Sequence, residues 1–479
     1  MVMIRKHVLI LFAAFFLAAC TLAPVYKRPA APTPSDWPKG AAYKEERTGA
    51  KAPMAYEISW QEYFRDEHLR EIIATALKNN RDLRIAALNV EVASAIYGVQ
   101  RASLLPTVDA SATRSKGRVP ADANASQPGT TVITDFYSVN LGILSWEVDL
   151  FGRLRSLKDK ALEEYLATDY VRRGAQISLV SEVATAYLML AADKENLRLT
   201  RSTLAAQQST YDLIRRRFDV GLATELDLNR AQTQVDAARA SLALYTQLVA
   251  TDKNTLDLLA GTPVPDEITP VDLKGIAPLG DISAGAPSET LLHRPDILAA
   301  EHELKAVNAN IGAARAAFFP SIFLTTTVGT ESFELSRLFK ADSSAWTFQP
   351  QAIMPIFDAR LWSSLKGIKV QREIAVAQYE KAIQVAFKEV ADALAERGTV
   401  GDQLAAQESL VHASEEAYRL SDIRYSTGID SYLSVLDAQR SLYAAEQGLI
   451  TIRLARLINM VTLYKVLGGG DNLGPRTSP

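Results

Sequence analysis

The 479-residue sequence predicts a mixed α and β fold written twice, with four membrane-type strands and two very long coiled-coil hairpins. Three observations predict it. Short motifs recur at a nearly constant offset, apolar residues keep a 3-4 spacing far beyond the length of a globular helix, and four segments alternate apolar with polar residues. Composition narrows the function. Lys+Arg 52 against Asp+Glu 55 gives a net charge of −3, without the basic excess of a nucleic-acid binder. With 48% hydrophobic and 22% charged residues, the chain is neither disordered nor a multi-span helical membrane protein. A single cysteine excludes intrachain disulfides and a Cys-based zinc site.

The chain begins with a targeting pattern. Arg5, Lys6 and His7 precede the apolar stretch Val8 to Leu17, which is too short to span a bilayer. Residues 1–19 read as a signal peptide, and Leu17-Ala18-Ala19 before Cys20 resembles a bacterial lipobox. In that reading Cys20 is acylated, and several acyl chains anchor stably where one does not. The alternative is an ordinary secretory signal with an incidental cysteine. Residue 21 is Thr, not the Asp that by resemblance retains lipoproteins at the inner membrane, so the outer membrane is favoured. Residues 20–60 then form a lipidated tether with Pro24, Pro29, Pro32, Pro34 and Pro38, extended and semi-rigid, suited to carrying the chain away from the lipid.

Two copies follow. Arg101-Ala-Ser-Leu-Leu-Pro106 recurs as Arg315-Ala-Ala-Phe-Phe-Pro320, about 214 positions later. Arg217, Gly221, Leu226, Ala231 and Gln232 recur as Arg424, Gly428, Leu433, Ala438 and Gln439, about 207 positions later. The first repeat is placed at residues 61–260 and the second at 294–470, joined by a Pro/Gly-rich equatorial linker at 261–293 and followed by a short tail at 471–479. Each repeat has the same plan: a helix stopped by Pro106 or Pro320, two strands, a very long helix, a turn at Gly221 or Gly428, and a returning helix.

The long helices carry the 3-4 seam. In the first copy it runs Leu179, Val183, Ala186, Leu190, Asp193, Leu197 and on through Ile214 to Phe218. The returning helices continue it from Leu228 to Leu259 and from Val435 to Val466. At 1.5 Å per residue the first long helix alone would extend about 90 Å. A solid coiled-coil rod would satisfy this pattern too, but the strands argue against it. Tyr137 to Ile143, Ile322 to Val328, Trp346 to Ala352 and Thr107 to Ala112 each place apolar residues on one side and polar or small ones on the other. Half-buried strands of a soluble sandwich remain the alternative for these segments taken alone. The polar stretch Arg114 to Thr131, holding Lys116-Gly117-Arg118, reads as the extracellular loop. Four strands cannot close a membrane barrel, and an unclosed sheet leaves unsatisfied edges, so the chain is expected to oligomerise; three copies would supply about twelve strands.

Several stretches resemble one family. They are Asn79-Asn-Arg-Asp-Leu83, Trp146-Glu-Val-Asp-Leu-Phe-Gly-Arg-Leu154, Arg294-Pro-Asp-Ile-Leu-Ala-Ala-Glu-His302, Ile311-Gly-Ala-Ala-Arg-Ala-Ala-Phe-Phe-Pro-Ser321 and Leu436-Asp-Ala-Gln-Arg440. From Cys20 to about Gly470 the chain resembles the outer-membrane factors, TolC-like exit ducts of tripartite efflux pumps and secretion systems, and within them the OprM-type lipoproteins of RND multidrug pumps. The resemblance implies a homotrimer: a 12-stranded transmembrane β-barrel with four strands per protomer, continued by a long α-helical coiled-coil barrel. It implies no catalysis, and two partners: a periplasmic adaptor (membrane fusion) protein and an inner-membrane RND-type pump. It also implies that Leu433 and Asp437 ring the closed periplasmic entrance of the duct, where three carboxylates would repel each other and attract cations. The turns Gly221 and Gly428, with Asp227 and Arg230, would form the tip that meets the adaptor.

Other chemistry is thin. Gly suits a left-handed helix end, and Thr224 and Asp430 are placed to N-cap the returning helices. His293 and His302 lack companions at metal spacing, and no nucleophile–base constellation or phosphate loop occurs, so neither an enzyme nor a metal site is expected. No cofactor is expected beyond covalent lipid on Cys20, and no nucleic acid. The resulting expectation is a passive outer-membrane exit duct for drugs or other small toxic compounds, lipid-anchored and extending into the periplasm. A duct for metal efflux or protein secretion is the runner-up. A periplasmic adaptor lipoprotein, which would carry one hairpin rather than two, and an enzyme tethered to the outer membrane are further alternatives.

Overall fold

The computed structural model describes residues 21–44, 53–122, 129–277, 279–280 and 282–470. Cys20, the signal segment and the tail at 471–479 lie outside the described residues. The main elements are α1 (Glu67–Asn79), α2 (Arg81–Ala102), β1 (Asp109–Val119), β2 (Val132–Val148), α3 (Arg153–Asp219), α4 (Glu225–Ala260), α5 (Pro295–Ala316), β3 (Ser321–Ser332), β4 (Ser344–Ile353), α6 (Ala359–Ser426) and α7 (Tyr432–Val466). Helix α3 has 67 residues and α6 has 68, far beyond the usual three or four turns.

The recurring motifs have local reasons. Asn80 caps α2: its Oδ1 accepts from the Leu83 N–H at 2.9 Å, and its Nδ2 donates to the Leu259 carbonyl at 3.0 Å. Ahead of α3, Glu147 pairs with Arg153, and Asp149 Oδ2 accepts from the Arg155 backbone N–H at 2.9 Å. That carboxylate sits where an unpaired helix N-terminus favours negative charge.

The residues group into two compact units, each drawing on both copies. The first comprises Met1–Pro29, Val90–Thr168 and Ala300–Tyr379. Its sheet has the order β1-β2-β3-β4, antiparallel throughout, so β1 and β4 are its edges. Directly paired residues share a face. Ala110, Leu141, Val328 and Trp346 form one such row, and its large members are exposed. The neighbouring row, Asp109, Gly142, Thr327 and Thr347, is polar or small. One face of this sheet is therefore apolar and uncovered, the other polar. At Gly142 the strands approach so closely that a Cβ would lie far inside van der Waals contact with the Thr326 carbonyl oxygen, beside the register shift between Ile143 and Trp146.

The expected polar loop is shorter than the sequence suggests. Strand β1 runs through Arg114, Lys116, Gly117 and Arg118 to Val119. Lys116 pairs in register with Asp135, and Arg114 reaches the same carboxylate at 2.8 Å, so the charges are neutralised across the strands instead of in a loop.

The segment after Cys20 is extended, but it is not free. In the first unit Arg315 donates to the Leu22 carbonyl at 3.0 Å and Asn308 to the Pro24 carbonyl at 2.7 Å. Arg28 grips the buried Glu301 with Nη2 at 2.7 Å, and Lys305 lies over the Tyr26 ring. Residues 22–28 are thus strapped along α5.

The second unit comprises Ala30–Asn89, Asp169–Ala299 and Glu380–Pro479. Trp37 donates to the Gly285 carbonyl at 2.8 Å and stacks on Phe387 at 5.0 Å, so the proline-rich segment docks here as well. Tyr63 and Tyr464 stack at 4.1 Å with Phe64 edge-on, and both hydroxyls reach backbone carbonyls, those of Met460 and Ile58. Paired hydroxyls allow these rings to be buried completely. Along α3 the seam residues Leu179, Val183, Ala186, Leu190, Leu197, Thr200, Gln207 and Ile214 are buried, while Phe218 at its end is exposed.

Candidate functional site: the paired helical turns

In the second unit both hairpin turns end their helices in the same way. Gly221 and Gly428 each have φ of 78°, the left-handed conformation that glycine adopts without strain. The Gly221 N–H donates to the Phe218 carbonyl at 2.9 Å and the Leu222 N–H to that of Arg217 at 2.7 Å. The second turn repeats this with Gly428 on Tyr425 and Ile429 on Arg424, at 3.0 and 2.8 Å. Both are Schellman closures.

The returning helices start differently. Thr224 caps α4 in a full capping box: its Oγ1 accepts from the Asp227 N–H at 3.1 Å, and Asp227 Oδ2 accepts from the Thr224 hydroxyl at 2.7 Å. Asp430 does not cap α7. Its Oδ2 is taken by Arg424 Nε at 2.6 Å, and the N-cap residue is Ser431, without a side-chain cap bond. Six residues separate Arg424 and Asp430 across the tight turn, and a charge-assisted hydrogen bond outcompetes a neutral backbone donor.

The two turns share a core. Ile214 and Ala231 of the first hairpin are buried against Tyr432, Val435 and Leu436 of the second, with Tyr211, Leu228, Tyr418 and Tyr425 packed around them. Arg217 crosses between the hairpins: its Nη1 donates to the Tyr425 hydroxyl at 2.7 Å. The Tyr432 hydroxyl is buried without a hydrogen-bond partner, and burial pushes its pKa well above the usual phenol range. Sequence reasoning singled out Arg217 and Arg424 as repeat-matched positions but missed this tyrosine cluster. Its signal was the pairing of Tyr211 with Tyr418 at the repeat offset.

On the outside, Leu433 and Asp437 are both exposed, one helical turn apart on α7. Leu226 is exposed on α4, Arg230 is half-buried, and Arg230 forms no ion pair among the described residues. Val220, Leu222 and Ile429 project from the turns, each at least 65% exposed, so the shared core carries an apolar rim. The histidines play local parts: His302 contacts Glu163 at 2.5 Å in the first unit, and His293 stacks on Tyr56 in the second. Among the described residues no group of three or more His, Asp or Glu side chains is arranged for a metal.

Comparison with known proteins gives this architecture its place. A family model described as outer membrane efflux protein matches residues 72–262 and 286–469, one block in each copy. The toluene efflux pump outer membrane protein TtgC and the antibiotic efflux pump outer membrane protein ArpC, both of Pseudomonas putida, are each 48% identical over 95% of this chain and 94% of their own. Among solved structures, the open state of the Neisseria gonorrhoeae MtrE outer membrane channel superposes with a TM-score of 0.84 at 36% identity, covering 94% of this chain and 98% of that one. Two of these relatives are named efflux pump outer membrane proteins and the third an outer membrane channel, which decides against the adaptor reading. The chain belongs to the outer membrane efflux protein family and is an outer membrane component of an efflux pump.

Proposed function

We propose that the chain is one third of a homotrimeric exit duct that passively conducts small organic toxicants from the periplasm to the outside. The observation that carries this is the four-stranded sheet with two open edges and one uncovered apolar face. Open edges are intolerable in lipid, so β1 of one copy pairs with β4 of the next until the barrel closes. Helix α2 leads into β1, and in the same unit it exposes Val92, Ile96 and Val99 along one stripe. Helix α6 leaves β4 and exposes Trp362, Val370 and Ile374. Edge pairing would bring these two unpartnered stripes together, burying both.

Cys20 carries the lipid anchor, two positions ahead of Leu22, whose carbonyl Arg315 of α5 holds. Leu433 and Asp437 line the periplasmic entrance. Gly221, Gly428, Asp227 and Arg230 shape the tip on which a periplasmic adaptor sits, its apolar rim matching an apolar partner surface. An inner-membrane pump of the RND type supplies the energy. The named cargoes of the relatives, toluene and antibiotics, favour drug and solvent export over metal efflux or protein secretion. Light scattering on the solubilised protein tests the assembly: a mass near three protomers is expected, and a stable monomer overturns the duct.

A further inference from the structure

A cavity of about 710 Å³ lies in the second unit where α3, α4, α6 and α7 meet, within the size range of sites for drug-sized ligands. We propose that this cavity is a binding site for an organic cation with an apolar body, held by Glu182 and Asp252 at the carboxylate wall and received by the Ser181 hydroxyl. Its role as a cargo station rests on the duct reading; the binding itself does not.

Charge comes first. Five carboxylates line the cavity, from Glu182, Asp252, Glu389, Asp392 and Glu396, against one lysine, Lys465. Three of them are already engaged: Glu389 by Arg294 at 2.6 Å, Asp392 by Lys388 at 2.5 Å and Glu396 by the Asn459 amide at 3.0 Å. Among the described residues Glu182 and Asp252 meet no cation. Glu182 is exposed, where it can draw a positive charge in from solvent.

An orphaned hydroxyl and an acid pair mark the interior. Ser181 is 5% exposed, lines the cavity, and its hydroxyl has no hydrogen-bond partner. Asp252 Oδ2 is buried against the Asp193 carboxyl of α3, and the two hydrogen-bond by sharing a proton, so the pair carries one negative charge. Buried polar atoms are normally satisfied, so a donor from outside the chain is the missing partner of the Ser181 hydroxyl, and a cation is the missing partner of the acid pair's remaining charge. The remaining wall is apolar, with Met189, Leu259 and Val461. An inorganic cation would leave that surface wet. An ammonium or delocalised cation on a hydrophobic scaffold satisfies both halves.

The test is a fluorescence anisotropy titration of the full-length protein in nanodiscs. Rhodamine 6G serves as the cationic ligand, and fluorescein supplies the same ring system with negative charge. Saturable rhodamine binding is expected, without fluorescein binding. Glu182→Gln with Asp252→Asn should weaken rhodamine about tenfold or more, since the charge-assisted contacts are lost. Met189→Trp, at the half-exposed wall, should weaken it by filling the space while leaving every charge in place. Glu415→Gln, an exposed carboxylate farther along α6, should change nothing. Equal binding of fluorescein, non-saturating uptake, or affinity untouched by both the charge and the filling variants would overturn the site. If export from cells persists while rhodamine binding is absent, the site is wrong and the duct stands; a monomer in light scattering fails the duct and leaves the site to this titration.

Discussion

Removing the Arg294 guanidinium should destabilise the second unit by about 2–3 kcal/mol. Arg294 is 7% exposed and precedes Pro295, the first residue of α5. Its Nε and Nη2 form a fork on Asp296 at 3.0 and 2.8 Å, Nη2 also meets Glu389 of α6 at 2.6 Å, and Nη1 donates to the carbonyl of Val466, the last residue of α7, at 2.8 Å. One side chain thereby ties three helices. A fully buried ion pair costs about 3–5 kcal/mol to break by truncation, because a charge is stranded. Here the stranded groups are Asp296 and Glu389, whose side chains are 50% and 42% exposed, so water recovers much of their loss. The Val466 carbonyl loses a charged donor at a buried helix end, which accounts for most of the effect. Arg294→Met keeps the aliphatic stem, so packing stays nearly constant. Thermal unfolding followed by circular dichroism at one fixed scan rate should show a midpoint lowered by about 5 °C. A cycle with Glu389→Gln should reveal a coupling of about 1 kcal/mol. A midpoint shift below about 1 °C, or strict additivity of the two substitutions, would show that the fork is a surface pair of no structural weight.

Gly142→Ala should abolish sheet assembly, since a Cβ collides with the backbone of β3; heat-resistant trimer on a gel would refute the close approach. On the proposed trimer Asp437→Ala would remove a ring of like charges, so single-channel conductance in planar bilayers should lose its sensitivity to divalent cations. Arg230→Ala should leave that sensitivity intact, and the opposite outcome would assign the gate to the first copy. Burial and the facing Asp193 push the Asp252 carboxyl up to about 7, so the folded state holds this proton more tightly than the unfolded state. That contribution is complete below the ordinary carboxylate range and lost as pH rises through about 7, so the advantage of Asp252→Asn in melting midpoint should grow from pH 5 to pH 8; a difference that stays constant between the two refutes it. Cys20→Ser should remove acylation, and mass spectrometry of the mature wild-type N-terminus should find lipid; its absence ends the lipoprotein reading.

The features legible in the sequence are those with local or periodic signatures. A residue such as Leu190 announces its burial through neighbours three and four positions away, and Gly221 and Gly428 announce a turn through their chemistry. Strand extents were less legible. Lys116 and Arg114 look like loop residues until Asp135 is placed opposite them, and that register is a property of two strands together. The docking of residues 22–44 was illegible for the same reason: Arg28 and its partner Glu301 lie 273 positions apart, and a proline-rich composition speaks only of an extended backbone, not of what the backbone lies against. At the turns, the sequence placed Asp430 correctly in space but not in role, because Arg424 competes for it.

That competition bears on how a duplicated chain becomes asymmetric without changing its backbone. The two turns have the same φ at glycine and the same pair of closing hydrogen bonds. What differs is the side chain six residues after the matched arginine: Asp430 after Arg424, Ala223 after Arg217. Arg424 is therefore neutralised inside its own turn, whereas Arg217 finds no carboxylate there and reaches Tyr425 of the other hairpin. The caps diverge in step. Thr224 and Asp227 complete a box on α4, while their counterparts Ser431 and Ser434 cannot, since a serine hydroxyl is a poorer and shorter acceptor than a carboxylate. The first turn is thus fixed within itself by its cap and joined to the second by its arginine, and the second is fixed by its ion pair. A partner that touched both turns would meet one backbone shape with two charge patterns, Arg230 on one side and Asp437 on the other. One backbone carrying two charge patterns allows a single chain to present alternating surfaces around a symmetric ring, and it needs no change of fold to do so.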